Sequence, residues 1–378
     1  MNPLSTFKYI KNNISKVSPI LIAMMVSVLL IYIFSLVTKS AIDITKLTGT
    51  NFFSKYTIVY SNSEEPIPKD YLNKITNDNN VGNVIPLISE YGYLNYSGVF
   101  GSMSMDVLNF YEKDIATIAS TLNMKLVEGR LPVENKNEII IPKRYALQNK
   151  LKIGDYIGSE VSSSYVIKGK FKVSGITDGP VMLGVISDNK MGVPRDKVLK
   201  QSILYSVNNL KDKDLINYIS KDTPKNILIM DYYSISKQID SVLESVNGLS
   251  HMLNMIIIIV LCISLGNLNY INFINRKYEF GVLVAIGYKK TTLYFKLWKE
   301  NCTVCLLGYI AGILLSTLIV FILNLTVLYA NGKSIPLWNS AGAITSLIIP
   351  ILVSFLSLIA PIKELRRTDP LDVIGGVI

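Results

Sequence analysis

The chain has 378 residues, 49% of them hydrophobic and 17% charged, with a mean hydropathy of +0.35 and a formal net charge of +10. A soluble globular protein carries about a quarter charged residues, so the composition excludes one large soluble enzyme. Its 38 basic and 28 acidic residues equally exclude a chain that is all membrane, and leave membrane spans joined to a sizeable polar domain.

In chain order, residues 1–17 hold three lysines and no acid. Leu4, Phe7, Ile10 and Ile14 recur every three or four positions, which predicts an amphipathic helix on the inner membrane surface or an extension of the span that follows. Residues 18–38 form the first span. The run is followed by Thr38-Lys39-Ser40 and not by a small-residue cleavage pattern, so it reads as a retained span and not a signal peptide. Residues 39–250 alternate short apolar strings with Asn, Asp, Gly and Pro, as a folded aqueous domain does. Strands are predicted at Thr57–Tyr60, Glu138–Ile141, Tyr165–Ile167, Phe171–Ile176 and Val181–Ile186. Helices are predicted near Pro68–Ile75, at Asp212–Ser220 and from Ser234 onward, giving a mixed α/β domain in two lobes.

Ahead of the second span, Ile235, Ile239, Val242, Val246, Leu249 and Leu253 are spaced by four and three in alternation. This heptad seam predicts a stalk helix running without proline from the domain into the bilayer. From about Ser234 to Asn275 it would be about 60 Å long. The remaining segments are a second span (251–275), a basic elbow (276–301), a third span (302–330), a loop (331–340), a fourth span (341–362) and a tail (363–378). A span needs roughly 20 apolar residues. The expected fold is therefore a membrane protein of four transmembrane α-helices, with a large mixed α/β extracytoplasmic domain on a helical stalk.

Mapped by segment, the surplus charge is +3 in residues 1–17 and +4 in the elbow, but only +2 across Thr38–Ser250. Basic loops face the cytoplasm. The expected topology is multi-pass in the cytoplasmic (inner) membrane, with both termini inside and the large domain outside. The charge marks topology, and no nucleic-acid partner is implied. No catalytic or metal site is expected. Cys262, Cys302 and Cys305 all lie within apolar spans, and His251 is the sole histidine. Gly332-Lys333-Ser334 resembles the end of a phosphate loop, but Val327 stands where its first glycine belongs.

The elbow reads Asn275-Arg-Lys-Tyr-Glu-Phe-Gly-Val-Leu-Val-Ala-Ile-Gly-Tyr-Lys-Lys290. Arg276, Glu279, Phe280, Gly281, Val282, Leu283, Ala285, Ile286 and Gly287 fall in register with the R-x-x-E-[IF]-G-[VI]-L-x-A-[IL]-G signature. The segment thus resembles the MacB/FtsX-type permeases of ABC transporters, of the MacB-like type VII class. Val284 departs from the pattern, which often has a basic residue there. In the domain, Glu128-Gly-Arg-Leu-Pro132, Asn137-Glu-Ile-Ile-Ile141, Ile153-Gly-Asp155 and Phe171-Lys-Val-Ser-Gly-Ile176 resemble the MacB-type periplasmic core.

The resemblance implies a non-catalytic membrane subunit with no cofactor of its own, working as a dimer with a second copy or a paralogue. A separate cytoplasmic ABC ATPase would hold ATP and Mg. It implies mechanotransmission that exports or releases a peptide, antibiotic or lipid-like substrate at the outer face. The alternative is a transmembrane regulator that activates a cell-wall hydrolase or sensor kinase, an extracytoplasmic partner. The ATPase-docking residues would be Arg276, Lys277, Glu279, Phe280, Gly281, Leu283, Ala285, Ile286, Gly287, Lys289 and Lys290. Independently of the family, Gly281 and Gly287 would let a short helix break away from the second span. Phe280, Leu283 and Ile286 would form one apolar face, and the charged residues would be free to dock.

Overall fold

A computed structural model of the protein describes residues 6–63, 65–79, 81–99, 101–207 and 223–367. The chain divides into two compact units, one of Ser40–Glu244 and Asn324–Ser334, the other of Met1–Lys39, Ser245–Leu323 and Ile335–Ile378.

The first unit is mixed α/β, built among its described residues on two sheets. The smaller has the order β11-β1-β10-β2, all antiparallel, from Ile227–Met230, Tyr56–Ser61, Ser202–Val207 and Val81–Pro86. Its central strand β1 is buried on both faces. Tyr56 and Ile58 enter a core with Phe52, Leu108 and Phe110, while Val59 packs with Tyr71 and Ile75 of helix Lys69–Thr76. The larger sheet has the order β3-β4-β9-β6-β8-β5, from Ser89–Ser97, Ser102–Asn109, Gly184–Ile186, Glu138–Pro142, Phe171–Asp178 and Lys125–Gly129, with β7 (Tyr156–Ile157) pairing β8. Strand β6 lies fully buried between β9 and β8, which explains its unbroken run of three isoleucines.

Two expected strands differ. Tyr165–Ile167 is not a strand: Ile167 plugs the core from a loop whose own hydrogen bonds, such as Ser159 N to Ile167 O at 2.8 Å, hold it there. Of Val181–Ile186 only Gly184–Ile186 pairs as a strand, because Met182 N donates instead to Leu47 O at 2.8 Å. The predicted helix at 212–220 lies outside the described residues, as does the tail beyond 367.

Among the described residues, four helices are long and apolar enough to cross a membrane. The first-span helix, Ile14–Thr45, runs past the expected end at 38, and a short helix Thr6–Asn12 precedes it. The stalk helix, Tyr232–Ile274, includes the second span. The third-span helix, Lys290–Leu323, begins well before residue 302. The fourth-span helix, Ser340–Leu356, stops short of the expected 362. The chain turns at Ser357, which buries Leu358, and a separate tail helix follows at Ile359–Arg367. Pro361 falls in its first turn, where a missing N–H costs nothing.

The first and third spans pack through the Gly308-x-x-x-Gly312 step. A Cβ at Gly308 would lie 2.9 Å from Met24 Cβ, and one at Gly312 would lie 2.8 Å from the Met25 carbonyl oxygen. Small residues at this spacing let two helix backbones approach closely. The fourth span is tied to the third by Tyr309 Oη donating to Ala343 O at 2.7 Å, and to the first by Asn339 Nδ2 donating to Ser35 Oγ at 2.9 Å. The second span is the most peripheral. Met252, Met255, Ile259 and Ile263 are exposed on it, and only 12% of its most apolar stretch is buried within the chain.

Candidate functional site

The elbow is a helix of nine residues, Lys277–Ala285, between the stalk and third-span helices. The break that opens it falls at Asn275–Arg276 and not at a glycine. Gly281 is buried inside the helix, so the expectation that it breaks the chain is corrected. Gly287 does end it. With φ of +97° it takes the left-handed conformation, while its N–H donates to Val284 O and that of Tyr288 to Leu283 O, both at 3.0 Å. This pair of bonds is a Schellman cap.

The residues expected to form one apolar face are divided. Phe280 is 1% exposed and stacks on Phe273 at 5.4 Å, in a cluster with Leu293, Leu297, Leu358 and Leu365 against which Leu283 also packs. Ile286 points the other way and is 66% exposed. Tyr278, Glu279, Ala285 and Lys289 are exposed with it. Tyr278, Val282 and Ala285, with Ile286 at the cap, lie about one helical turn apart and form one outward face, and Lys289 is exposed beyond the Gly287 cap.

The charges divide in the same way. Arg276, expected to be free, is buried. Its Nη1 donates to Glu300 Oε2 at 2.8 Å and its Nε to Glu279 Oε2 at 3.1 Å, and its guanidinium lies 5.0 Å over the Phe280 ring. Lys277 pairs with Glu364 of the tail helix at 3.3 Å, and Lys290 Nζ donates to Arg366 O at 3.1 Å. The inward residues therefore bolt the elbow to the third span and tail, while the outward ones remain accessible.

A charge count by segment places Glu300 in a basic loop and does not single it out as a site residue. A signal for it exists. Leu293, Leu297, Glu300, Val304 and Gly308 recur at spacings of four, three, four and four, and all are buried, so the carboxylate stands on the inward stripe of a helix. Beside it, Asn301 Nδ2 donates to Ser357 Oγ at 2.9 Å and Asn269 Nδ2 to Asn301 Oδ1 at 3.1 Å, a polar link among the second, third and fourth spans.

Of the stalk seam, Ile235 packs on the domain core and Ile239 is half-buried, with its Cδ1 3.1 Å from where a Cβ on Gly49 would sit. Leu249 and Leu253 are exposed. The side chains of Val242 and Val246 lie outside the described residues. The helix continues through Gly248 unbroken.

Two of the domain motifs meet. Arg130 of the first donates to Glu138 of the second through Nη1 to Oε2 at 2.7 Å and Nη2 to Oε1 at 2.5 Å, and Val133 N donates to the same carboxylate at 3.0 Å. This fork is a structural clasp at the start of β6. Burial would push the Glu138 carboxyl up, but the Arg130 pairing and the Val133 amide hold it below the usual carboxylate range. The Gly332-Lys333-Ser334 string also has a structural role, since Tyr96 Oη donates to Gly332 O at 2.8 Å and Ser40 Oγ to Ser334 O at 2.7 Å.

Residues 252–370, which contain the elbow, match the FtsX-like permease C-terminal family. The macrolide export ATP-binding/permease protein MacB of Mannheimia succiniciproducens is 25% identical over 170 residues, 43% of this chain and 25% of that protein. The probable syringafactin export ATP-binding/permease protein SyfD of Pseudomonas syringae pv. syringae is 26% identical over 145 residues, 36% of this chain and 21% of that one. The chain thus aligns with a quarter or less of the length of these curated relatives. Among solved structures, the periplasmic region of MacB from Actinobacillus actinomycetemcomitans aligns at 15% identity and a TM-score of 0.27, covering 52% of this chain and 95% of that one. The extracellular domain of the transporter YknZ from Gram-positive bacteria aligns at 12% identity and a TM-score of 0.26, covering 47% of this chain and 100% of that one. Residues 252–370, from the second span into the tail, are therefore an FtsX-like permease domain, and the chain has MacB homologues among curated proteins.

Proposed function

We propose that this chain is the permease subunit of an ATP-driven mechanotransmission transporter, with both termini cytoplasmic and the α/β unit outside. The observation that carries the reading is the two-sided elbow: Tyr278, Glu279 and Ile286 exposed along a helix whose inward residues are held by the third span and tail, with Lys289 exposed just past its end. The outward face docks an ABC ATPase. Closure of two ATPases on ATP and Mg presses on the elbows of two permease copies. The continuous, proline-free stalk helix carries the motion toward the outer domain. The relatives named for macrolide and syringafactin export support release of a peptide, antibiotic or lipid-like molecule at the outer face over the regulatory alternative.

The test is co-purification of the full chain with its ATPase from membranes. Ile286→Asp combined with Lys289→Glu is expected to abolish recovery of the ATPase while the chain still inserts. Recovery at the wild-type ratio would refute docking through this face.

A further inference from the structure

We propose that Glu300 is the positioning residue that couples the elbow to the third span, acting through Arg276 inside a small polar chamber. The inference rests on the reading of the elbow as the part that receives force, and deepens it by naming the joint through which force passes.

Both partners are buried, with side chains 5% and 6% exposed, and their contact of 2.8 Å joins the first residue of the elbow to the third-span helix. Taking two charges out of water is costly, and such a pair contributes little net stability compared with apolar packing of the same volume. What it supplies is geometry: a charged, planar donor has few acceptable positions around a buried carboxylate. The apolar contact of Phe280 with Phe273 lacks that directionality, because greasy surfaces slide at little cost. Arg276 also reaches Glu279, which is 61% exposed on the outward side. The one guanidinium thus bridges a carboxylate near the docking face and a carboxylate on the span.

The surroundings support a polar joint in place of a sealed core. A cavity of about 40 Å³ is lined by Asn269, Asn272, Arg276, Glu300 and Asn301 with apolar neighbours. Glu300 Oε1 is buried and meets no hydrogen-bond donor among the described residues. A buried carboxylate oxygen requires a donor, and a space of this size, with five polar residues on its wall, has room for at least one water. Water in the chamber would let the guanidinium pivot about Oε2 without breaking the pair.

The experiment uses the full chain in lipid nanodiscs without ATPase, its native cysteines replaced by alanine. Nitroxide labels are placed at Ile286→Cys on the elbow and Leu318→Cys on the third span, both exposed positions. The wild-type pair is expected to give one narrow distance distribution. Glu300→Gln and Arg276→Gln should each broaden it, and the reversal Arg276→Glu with Glu300→Arg should narrow it again. A second label pair, at Leu306→Cys and Leu318→Cys within one helix, reports whether each variant is folded and should not change. A distribution in Glu300→Gln as narrow as wild type would overturn the proposal. Because no ATPase is present, this result is independent of whether the elbow docks one. Loss of the ATPase-docking reading would leave the distances unchanged, and broadening in Glu300→Gln would leave ATPase recovery to be judged on Ile286.

Discussion

At Gly287 the backbone has φ of +97° while a Cβ added there would meet nothing within 4 Å. Conformation and packing therefore separate at one position. Any L-residue in this left-handed region costs roughly 1–2 kcal/mol, and size adds nothing. Gly287→Ala and Gly287→Leu are expected to lower thermal stability equally, with Asn between them and glycine, since Asn tolerates this region. A much larger loss for Leu than for Ala would show that the site is crowded. Glu138 gives a second test at this scale. Its folded-state pKa is held below the ordinary carboxylate value, so the Arg130–Glu138 clasp stabilises the protein above the unfolded pKa of about 4.3 and loses that contribution as pH falls through the lower folded value. The stability difference between wild type and Glu138→Gln should be constant near neutrality and shrink below about pH 4 in pH-dependent melts. A difference that grows on acidification would mean that the folded-state pKa is raised instead.

At the scale of elements, the glycines of the spans are not equivalent. A Cβ at Gly266 would lie 3.8 Å from its nearest neighbour, an ordinary contact, whereas Gly312 faces a backbone oxygen at 2.8 Å. Gly266→Ala should be neutral in detergent melts. Gly312→Val should cost about 1–3 kcal/mol by prying the first and third spans apart. Equal behaviour of the two would mean that the span packing is wrong. What can be read from sequence also differs by element. The spans are legible because a run of some 20 uncharged, apolar residues matches the thickness of a bilayer and exceeds what a soluble core helix buries on all sides. The elbow is legible because its glycines and charges fall in a fixed register. The hairpin of β3 and β4 is not legible. Its strands, Ser89–Ser97 and Ser102–Asn109, are rich in Ser, Asn and Tyr, and the only strong turn signals are the glycines at 98 and 101. The end of the fourth span has a signal that a reading by hydropathy alone passes over: the helix stops at Leu356 and turns at Ser357, whose carbonyl Pro361 could neither bond nor clear, and Leu358 is buried at the turn. Glu300 escapes because a charge count by segment ignores which face of a helix a charge occupies.

For the molecule as a whole, the charge distribution and the two-unit organisation make one joint prediction about sidedness. The segments beside the spans carry the basic surplus, at +3 in residues 1–17 and +4 in the elbow, while the α/β unit is close to balance. Lys and Arg in short loops resist transfer across the membrane, but a large folded domain crosses largely regardless of its charge. The elbow should therefore be cytoplasmic and the α/β unit outside. Two positions can report this without disturbing packing. Met191 is 93% exposed in the α/β unit, and Lys289 is exposed just beyond the elbow helix. Both are tested in a background lacking Cys262, Cys302 and Cys305, of which Cys305 is buried and the other two half-buried. In intact cells, or spheroplasts where an outer membrane intervenes, a membrane-impermeant maleimide should label Met191→Cys at once. It should label Lys289→Cys only after permeabilisation. The reverse pattern would invert the topology and with it the docking of a cytoplasmic ATPase. Labelling of both positions in intact cells would place the elbow outside, so that its outward face would need an extracellular partner instead.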